Sequence, residues 1–228
     1  MKNTIDYSVL EASTLFNGVP AKVIEKRLNE TPHHIRHFDK GETIFHLMES
    51  AHKIGIILQG KVEAQKLFPN GSQINVSVRG VGKMIGTAAT FSKQKSYPCD
   101  LVAIEKVTLL IFSAEEIVRL IQKDIRILQN ITSELASITY RLQERLELFS
   151  YRGIAQKLAF YLLLKSRQSE SEIVRIPKTI SNLAQIMNVS RPSLHRELKR
   201  FVRKKIISYA PPLITIRNAD ALEKELDD

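Results

Sequence analysis

The spacing of apolar residues changes character twice along the chain. Between Thr4 and Glu30, Leu15, Val19, Val23, Ile24 and Leu28 recur at mixed helical spacings until Pro32 interrupts them. From His34 to about Phe112 the apolar runs shorten. IGIIL, KVEAQKLF, INVSV and VTLLIF are separated by turn residues, and seven of the nine glycines fall in this stretch. Short apolar runs bounded by glycine predict strands. Pro69-Asn70-Gly71 predicts a hairpin turn, because Asn-Gly tolerates the positive φ that a tight turn imposes. Several such strands in succession predict an antiparallel barrel or jelly roll.

From Ser113 the period becomes helical. Ser113 followed by Glu115 and Glu116 has the chemistry of an N-cap with acidic residues in the first turn. A longer helix is predicted from Asp124 to Phe149, a span without Gly or Pro. Its apolar seam is Leu128, Ile131, Leu135, Ile138, Leu142 and Phe149, with Arg145 at the skipped position. A stripe of two residues in seven is narrower than an ordinary core face and suits a coiled coil between two copies. A helix packed on its own domain is the alternative. At a dimer seam Arg145 is expected to snorkel outward or pair across the interface. Tyr151–Lys165 predicts another helix, with Ile154, Leu158, Tyr161 and Leu162 on one side. SRQSESE is a polar loop, and IVRIP a short strand ended by Pro177.

Thr179–Ile207 (TISNLAQIMNVSRPSLHRELKRFVRKKII) divides into two helices around a tight connection. Thr179 is placed to cap the first, which carries the apolar face Leu183, Ala184 and Met187. Asn188 tolerates the left-handed backbone of a turn, with Val189 plugging the corner. Ser190 is placed to cap the second helix, and Pro192 falls in its first turn, where a missing N–H costs nothing. Leu194, Leu198 and Phe201 (or Val202) face inward, leaving Arg191, Ser193, His195, Arg196, Lys199 and Arg200 on exposed or partly exposed faces. Ile206–Tyr209 and Leu213–Ile216, flanking Pro211-Pro212, predict a hairpin wing. Two helices crossing steeply let the second enter the major groove N-terminus first, its hydroxyls and cations reaching phosphates and base edges.

Charge agrees with that geometry. The formal net charge is +10, and from Ser150 onward there are 15 Lys and Arg against 8 Asp and Glu. Within Arg191–Lys205 seven basic residues face one acidic residue, Glu197. Such a segment suits a polyanion, double-stranded DNA first of all, although a solvated basic helix is the simpler reading of charge alone. No apolar run approaches the roughly 18 residues of a membrane span, and MKNTIDYSVLEAS lacks the apolar stretch of a secretory signal. A cytoplasmic protein with no membrane partner is expected. One cysteine, Cys99, excludes an internal disulfide framework or an all-cysteine cluster within one chain. No phosphate-binding loop, zinc-protease motif, nucleophile triad or dinucleotide fingerprint is present, so an enzyme is not expected.

The segments FDKGETIF, IGIILQGKVEA, GVGKMIG, the long helix, RGIAQKLA and LAQIMNVSRPSLHRELKRF together resemble the Crp/Fnr family of bacterial regulators along nearly the whole chain. The resemblance implies an α+β protein with an N-terminal antiparallel jelly roll of cyclic-nucleotide-binding type, a dimerisation helix and a C-terminal winged helix-turn-helix. The corresponding divisions are 1–123, 124–149 and 150–228. It also implies a homodimer on a near-palindromic operator, with RNA polymerase as a further partner if the protein activates. The family's recognition helix has Ser or Thr, then Arg or Val, then Glu, and an Arg four places after the Glu. Arg191 and Arg196 match and become the base-reading candidates, with Thr179, Ser190, Ser193, His195 and Lys199 as further DNA contacts. Pro192 replaces the glutamate and can neither accept from a cytosine amine nor orient Arg196, so the operator is expected to differ from the family's usual half-site.

Nucleotide-binding members carry Gly-Glu-Leu and, about ten residues on, Arg-Ser-Ala, whose Glu and Arg hold ribose and cyclic phosphate. Gly86-Thr87-Ala88 and Tyr97-Pro98-Cys99 stand there instead. A buried phosphate without its cation costs several kcal/mol, so tight cyclic AMP or cyclic GMP binding is not expected. Thr87, Tyr97 and Cys99 line either an altered pocket for an unknown small-molecule effector or a filled core. The iron–sulfur branch needs a cysteine-rich N-terminal segment, and no cysteine precedes Cys99. Cys99, in an expected strand after Pro98, reads as a buried inert thiol sooner than a redox sensor. His33, His34, His37, His46 and His52 read as surface or strand residues, not as haem or metal ligands, and no cofactor is expected. A second function class remains: a sensor or interaction module whose helix-turn-helix makes protein contacts.

Overall fold

The computed structural model describes residues 6–67, 73–177 and 179–227. Two compact units divide the chain, residues 1–137 and 138–228. The strand-like texture after His34 resolves into β1 (His34–Phe38), β2 (Thr43–Phe45), β3 (Lys53–Gln59), β4 (Val62–Leu67), β5 (Gln73–Arg79), β6 (Met84–Ile85), β7 (Asp100–Ala103) and β8 (Val107–Ser113). They form two four-stranded sheets, β1-β8-β3-β6 and β2-β7-β4-β5. Every pairing is antiparallel, as in a jelly roll. The turn expected at Pro69-Asn70-Gly71 lies outside the described residues, but the strands on either side pair from Val62↔Arg79 to Leu67↔Gln73.

β3 and β8 are apolar at nearly every position because both of their faces are covered. Ile54, Ile56, Leu110 and Phe112 enter one core, while Ile57, Leu109 and Ile111 enter the other, which holds Phe45, Val62 and Leu101. Successive strand residues point to opposite sides, so one contiguous run supplies two cores. The first core is closed by helices α1 (Tyr7–Glu11), α2 (Ala21–Asn29), α4 (Ala114–Lys123) and the start of α5 (Ile125–Ser150). Ser113 caps α4 through a complete capping box with Glu116. A short helix α3 (Thr87–Phe91), unanticipated among the strands, follows Gly86, whose φ of +82° is left-handed.

The seam expected on α5 needs correction. Ile127 and Ile131 are buried in their own unit's core, and Leu135 packs partly against it. The side chain of Asn130 donates to Leu15 O and Asn17 O, and Arg126 to Gly18 O, at 2.9 Å each. Arg79 and Glu134 pair at 2.9 Å. Ile131 thus serves the domain core. The exposed apolar residues on the helix include Leu128, Leu142, Leu146 and Phe149. Arg145 lies over the Phe149 ring, 5.3 Å from its centroid.

The second unit builds its core on α6 (Ile154–Ser169), whose residues Leu158–Leu163 are all buried. Around it stand β9 (Ile173–Arg175), α7 (Ile180–Met187), α8 (Arg191–Arg203), β10 (Ile207–Ala210), β11 (Leu213–Ile216) and α9 (Ala219–Lys224). The three strands pair antiparallel in the order β10-β11-β9. The architecture is α+β: a jelly roll, a long helix and a winged helix-turn-helix. Among the described residues no helix is long and apolar enough to cross a membrane.

Candidate nucleic-acid interface

Local chemistry starts and stops the two helices of the motif. Thr179 Oγ1 accepts from the Asn182 N–H at 3.2 Å, capping α7. Asn188 ends that helix at φ +51°, and the following Val189 N–H donates back to Ala184 O at 3.0 Å. Ser190 then caps α8, its Oγ accepting from the Ser193 N–H at 3.2 Å. Pro192 occupies the first turn as expected. Leu194, Leu198 and Phe201 are buried whereas Val202 is exposed, which settles the alternative left by the periodicity.

With those three residues buried, α8 presents Arg191, His195, Arg196, Lys199 and Arg203 to solvent. His195, Arg196, Lys199, Val202, Arg203 and the wing residue Tyr209 border an open groove of about 700 Å³. Thr179 and Ser190 are exposed and Ser193 is half-buried. The Ser193 hydroxyl is engaged within α8 itself. Its Oγ accepts from Ser190 Oγ at 2.8 Å and from Arg196 Nη2 at 3.1 Å. The Arg196 guanidinium thus has a hydroxyl acceptor one residue after Pro192.

Arg200 behaves differently from its neighbours. It donates to Glu197 at 2.7 Å and to the carboxylate of Glu225, which also receives Lys204 at 3.0 Å. Glu225 follows α9, an element the hydrophobic pattern did not reveal. Asn218 caps α9 by accepting from the Ala221 N–H at 2.9 Å, and Leu222 anchors it in the core. Burial pushes the Glu225 carboxyl up, but the Lys204 and Arg200 bonds outweigh it and hold the group below its usual value.

The sensor-site candidates gather around the second core. Tyr97 is buried, stacks on Phe45 with ring centroids 4.4 Å apart, and donates its hydroxyl to Lys53 O at 2.9 Å. Burial is the main reason its hydroxyl is pushed up to about 12. Gly86 completes this packing, since a Cβ there would lie 2.6 Å from Lys53 O and 3.4 Å from the Tyr97 ring. Thr87 is buried, and its hydroxyl has no hydrogen-bond partner among the described residues. Cys99 is half-buried in a bend just before β7, not in a strand as expected, and burial raises its thiol. No His, Cys, Asp and Glu grouping suited to a metal occurs among the described residues.

Residues 35–124 match the family model of the cyclic nucleotide-binding domain, and residues 156–225 match that of the Crp-like helix-turn-helix domain. The chain belongs to the Crp/Fnr family. It is similar to the cyclic AMP receptor protein of Thermus thermophilus, with 21% identity over 94% of this chain and 97% of that protein. A probable transcriptional regulator, flp, of Lacticaseibacillus casei is 25% identical over 83% of this chain and 86% of its own length. The crystal structure of the Thermus thermophilus catabolite activator protein shares the fold, with a TM-score of 0.55 and 22% identity, covering 94% of this chain and 99% of that one. This member of the Crp/Fnr family is thus a transcription regulator with a helix-turn-helix.

Proposed function

We propose that this regulator binds a near-palindromic operator as a homodimer, with α8 in the major groove. The carrying observation is the exposed basic face of α8, Arg191, His195, Arg196 and Lys199, starting at a capped N-terminus, with Tyr209 of the wing bordering the groove along it. Arg191 and Arg196 read bases, because the guanidinium fork matches the paired acceptors of guanine. Thr179, Ser190 and Lys199 reach phosphates. The exposed stripe Leu128, Leu142, Leu146 and Phe149 of α5 joins two copies. RNA polymerase is a partner if the protein activates.

The sensor unit responds to a small molecule other than cyclic AMP. The Thermus relative is named for cyclic AMP. In this chain the positions corresponding to the family's ribose and phosphate anchors hold Thr87 and the Phe45-stacked Tyr97, which offer neither carboxylate nor guanidinium. A cyclic phosphate left without a cation there would be strongly disfavoured.

Selecting bound fragments from the source genome, with and without cell extract, tests the proposal. Enrichment of sites with two-fold symmetry is expected, and affinity should fall steeply with salt as phosphates regain counterions. Added cyclic AMP should change neither. Binding that is absent at every salt concentration would favour a helix-turn-helix that contacts protein.

A further inference from the structure

Two cations at the C-terminal end of α8, Arg200 within it and Lys204 at its cap, are ion-paired, whereas Arg196 meets only the Ser193 hydroxyl among the described residues. Glu225 has a side chain only 6% exposed, yet it ion-pairs with both Arg200 and Lys204. Arg200 is additionally tied to Glu197 at 2.7 Å, within α8 itself. Arg200 borders two hollows at once. One is the basic groove it shares with Arg196, Lys199 and Arg203; the other is a cleft of about 970 Å³ that contains Glu225, Tyr151 and Gln156. Glu225 borders only the cleft, whereas Glu197 borders both hollows. Gln156 bonds Leu226 O at 3.1 Å, so the residues around Glu225 are anchored to α6 while Glu225 anchors α8.

We infer that Glu225 is a positioning residue which withholds Arg200 and Lys204 from the DNA phosphates. This rests on the reading of α8 as the DNA-contacting helix and adds a rule to it. Every cation that reaches a phosphate strengthens binding to any sequence, operator or not. Selectivity depends on the ratio of operator to random-sequence affinity. A carboxylate behind the helix that occupies two cations lowers the sequence-independent share and leaves Arg191 and Arg196 to discriminate. The same contact fixes the seating of α8 against α6 and α9.

The test measures affinity of the full-length protein for a short mixed-sequence DNA duplex over a range of salt concentrations. Glu225→Gln keeps the shape of the side chain and removes its charge. It should steepen the slope of log affinity against log salt by about 1 to 2 per helix, at roughly 0.9 for each cation that reaches a phosphate. Random-sequence binding should rise several-fold while discrimination for a selected operator falls. A folded Glu225→Gln protein with an unchanged or shallower slope overturns the inference. Should that variant not fold, the triple change Arg200→Gln, Lys204→Gln and Glu225→Gln replaces the ionic cluster by amides. Its slope should equal the wild-type value, and a slope shallower by about 2 per helix would mean that both cations already touch DNA. Wild-type protein that shows no salt-dependent DNA binding refutes the DNA reading itself. Normal wild-type binding with either adverse variant result refutes only the role of Glu225.

Discussion

Removing one oxygen atom, in Ser193→Ala, separates the orientation of Arg196 from everything else on α8. The cap survives, because Ser190 Oγ accepts from the backbone N–H of residue 193, and a surface change of this kind shifts stability by less than about 0.5 kcal/mol. What disappears is the 3.1 Å acceptor for the Arg196 guanidinium, together with the 2.8 Å acceptor of the exposed Ser190 hydroxyl, which water replaces. A free arginine must then be ordered when it meets a base, at about 0.5–1.5 kcal/mol for each side chain. The bond is exposed and competes with water, which favours the low end. Two helices in a dimer then lose about 1 kcal/mol, a roughly five-fold weaker operator complex. Fluorescence anisotropy on a genome-selected operator and a scrambled duplex of the same length reads this directly. Operator binding should weaken about five-fold, scrambled binding should stay constant, and Ser193→Thr should restore the operator value. Equal losses on both duplexes, or no loss on the operator, would refute the idea that Ser193 stands in for the absent glutamate.

Arg196→Ala should cost about 1–3 kcal/mol on the operator and relax discrimination at one base pair of each half-site; unchanged preference at every position in a binding selection would contradict its base-reading role. Leu142→Lys with Leu146→Lys places charge on the exposed stripe of α5 and should yield folded monomers by light scattering, whereas a dimer of wild-type strength would exclude that stripe as the interface. Tyr97→Phe should cost about 1 kcal/mol by removing the hydroxyl bond to Lys53 O. The Tyr97 hydroxyl is pushed up to about 12 in the folded protein, above its ordinary value of about 10. Its stabilising effect is therefore complete below pH 10 and lost as pH rises through about 12. Wild type should consequently lose more stability than Tyr97→Phe across that interval in denaturant titrations, and parallel losses would place the hydroxyl in water.

The helix-turn-helix was legible because its signals are local. Thr179, Asn188, Ser190 and Pro192 each act on backbone within four residues, and the structure uses each where the sequence put it. Strands β3 and β8 were legible as apolar runs, although the reason for their length, two cores served at once, is a tertiary fact. Only part of the expected α5 seam is free, for a related reason. Ile131 and Leu142 look equivalent in a heptad count, but Ile131 shares a core with Leu15, Phe16 and Leu110, residues far away in sequence. Tyr97 and Phe45 stack across 52 positions, and Glu225 meets Arg200 across 25. No periodicity encodes such encounters. The Ser193–Arg196 bond spans three residues and is within reach of helix geometry, since i and i+3 share a face. The α9 cap at Asn218, followed by Ala-Asp-Ala-Leu, was likewise readable as a helix start.

The division of labour inside β8 restricts how this regulator can vary. Val107, Leu109 and Ile111 belong to one interior, Leu110 and Phe112 to the other. Deleting or inserting a single residue between them would send each set into the wrong compartment, so change here must come in steps of two. The loop before Val107 is free of that arithmetic, whereas Ser113 passes directly into α4. Lineages of this chain should therefore diverge in loop length while the span from Val107 to Phe112 keeps its count.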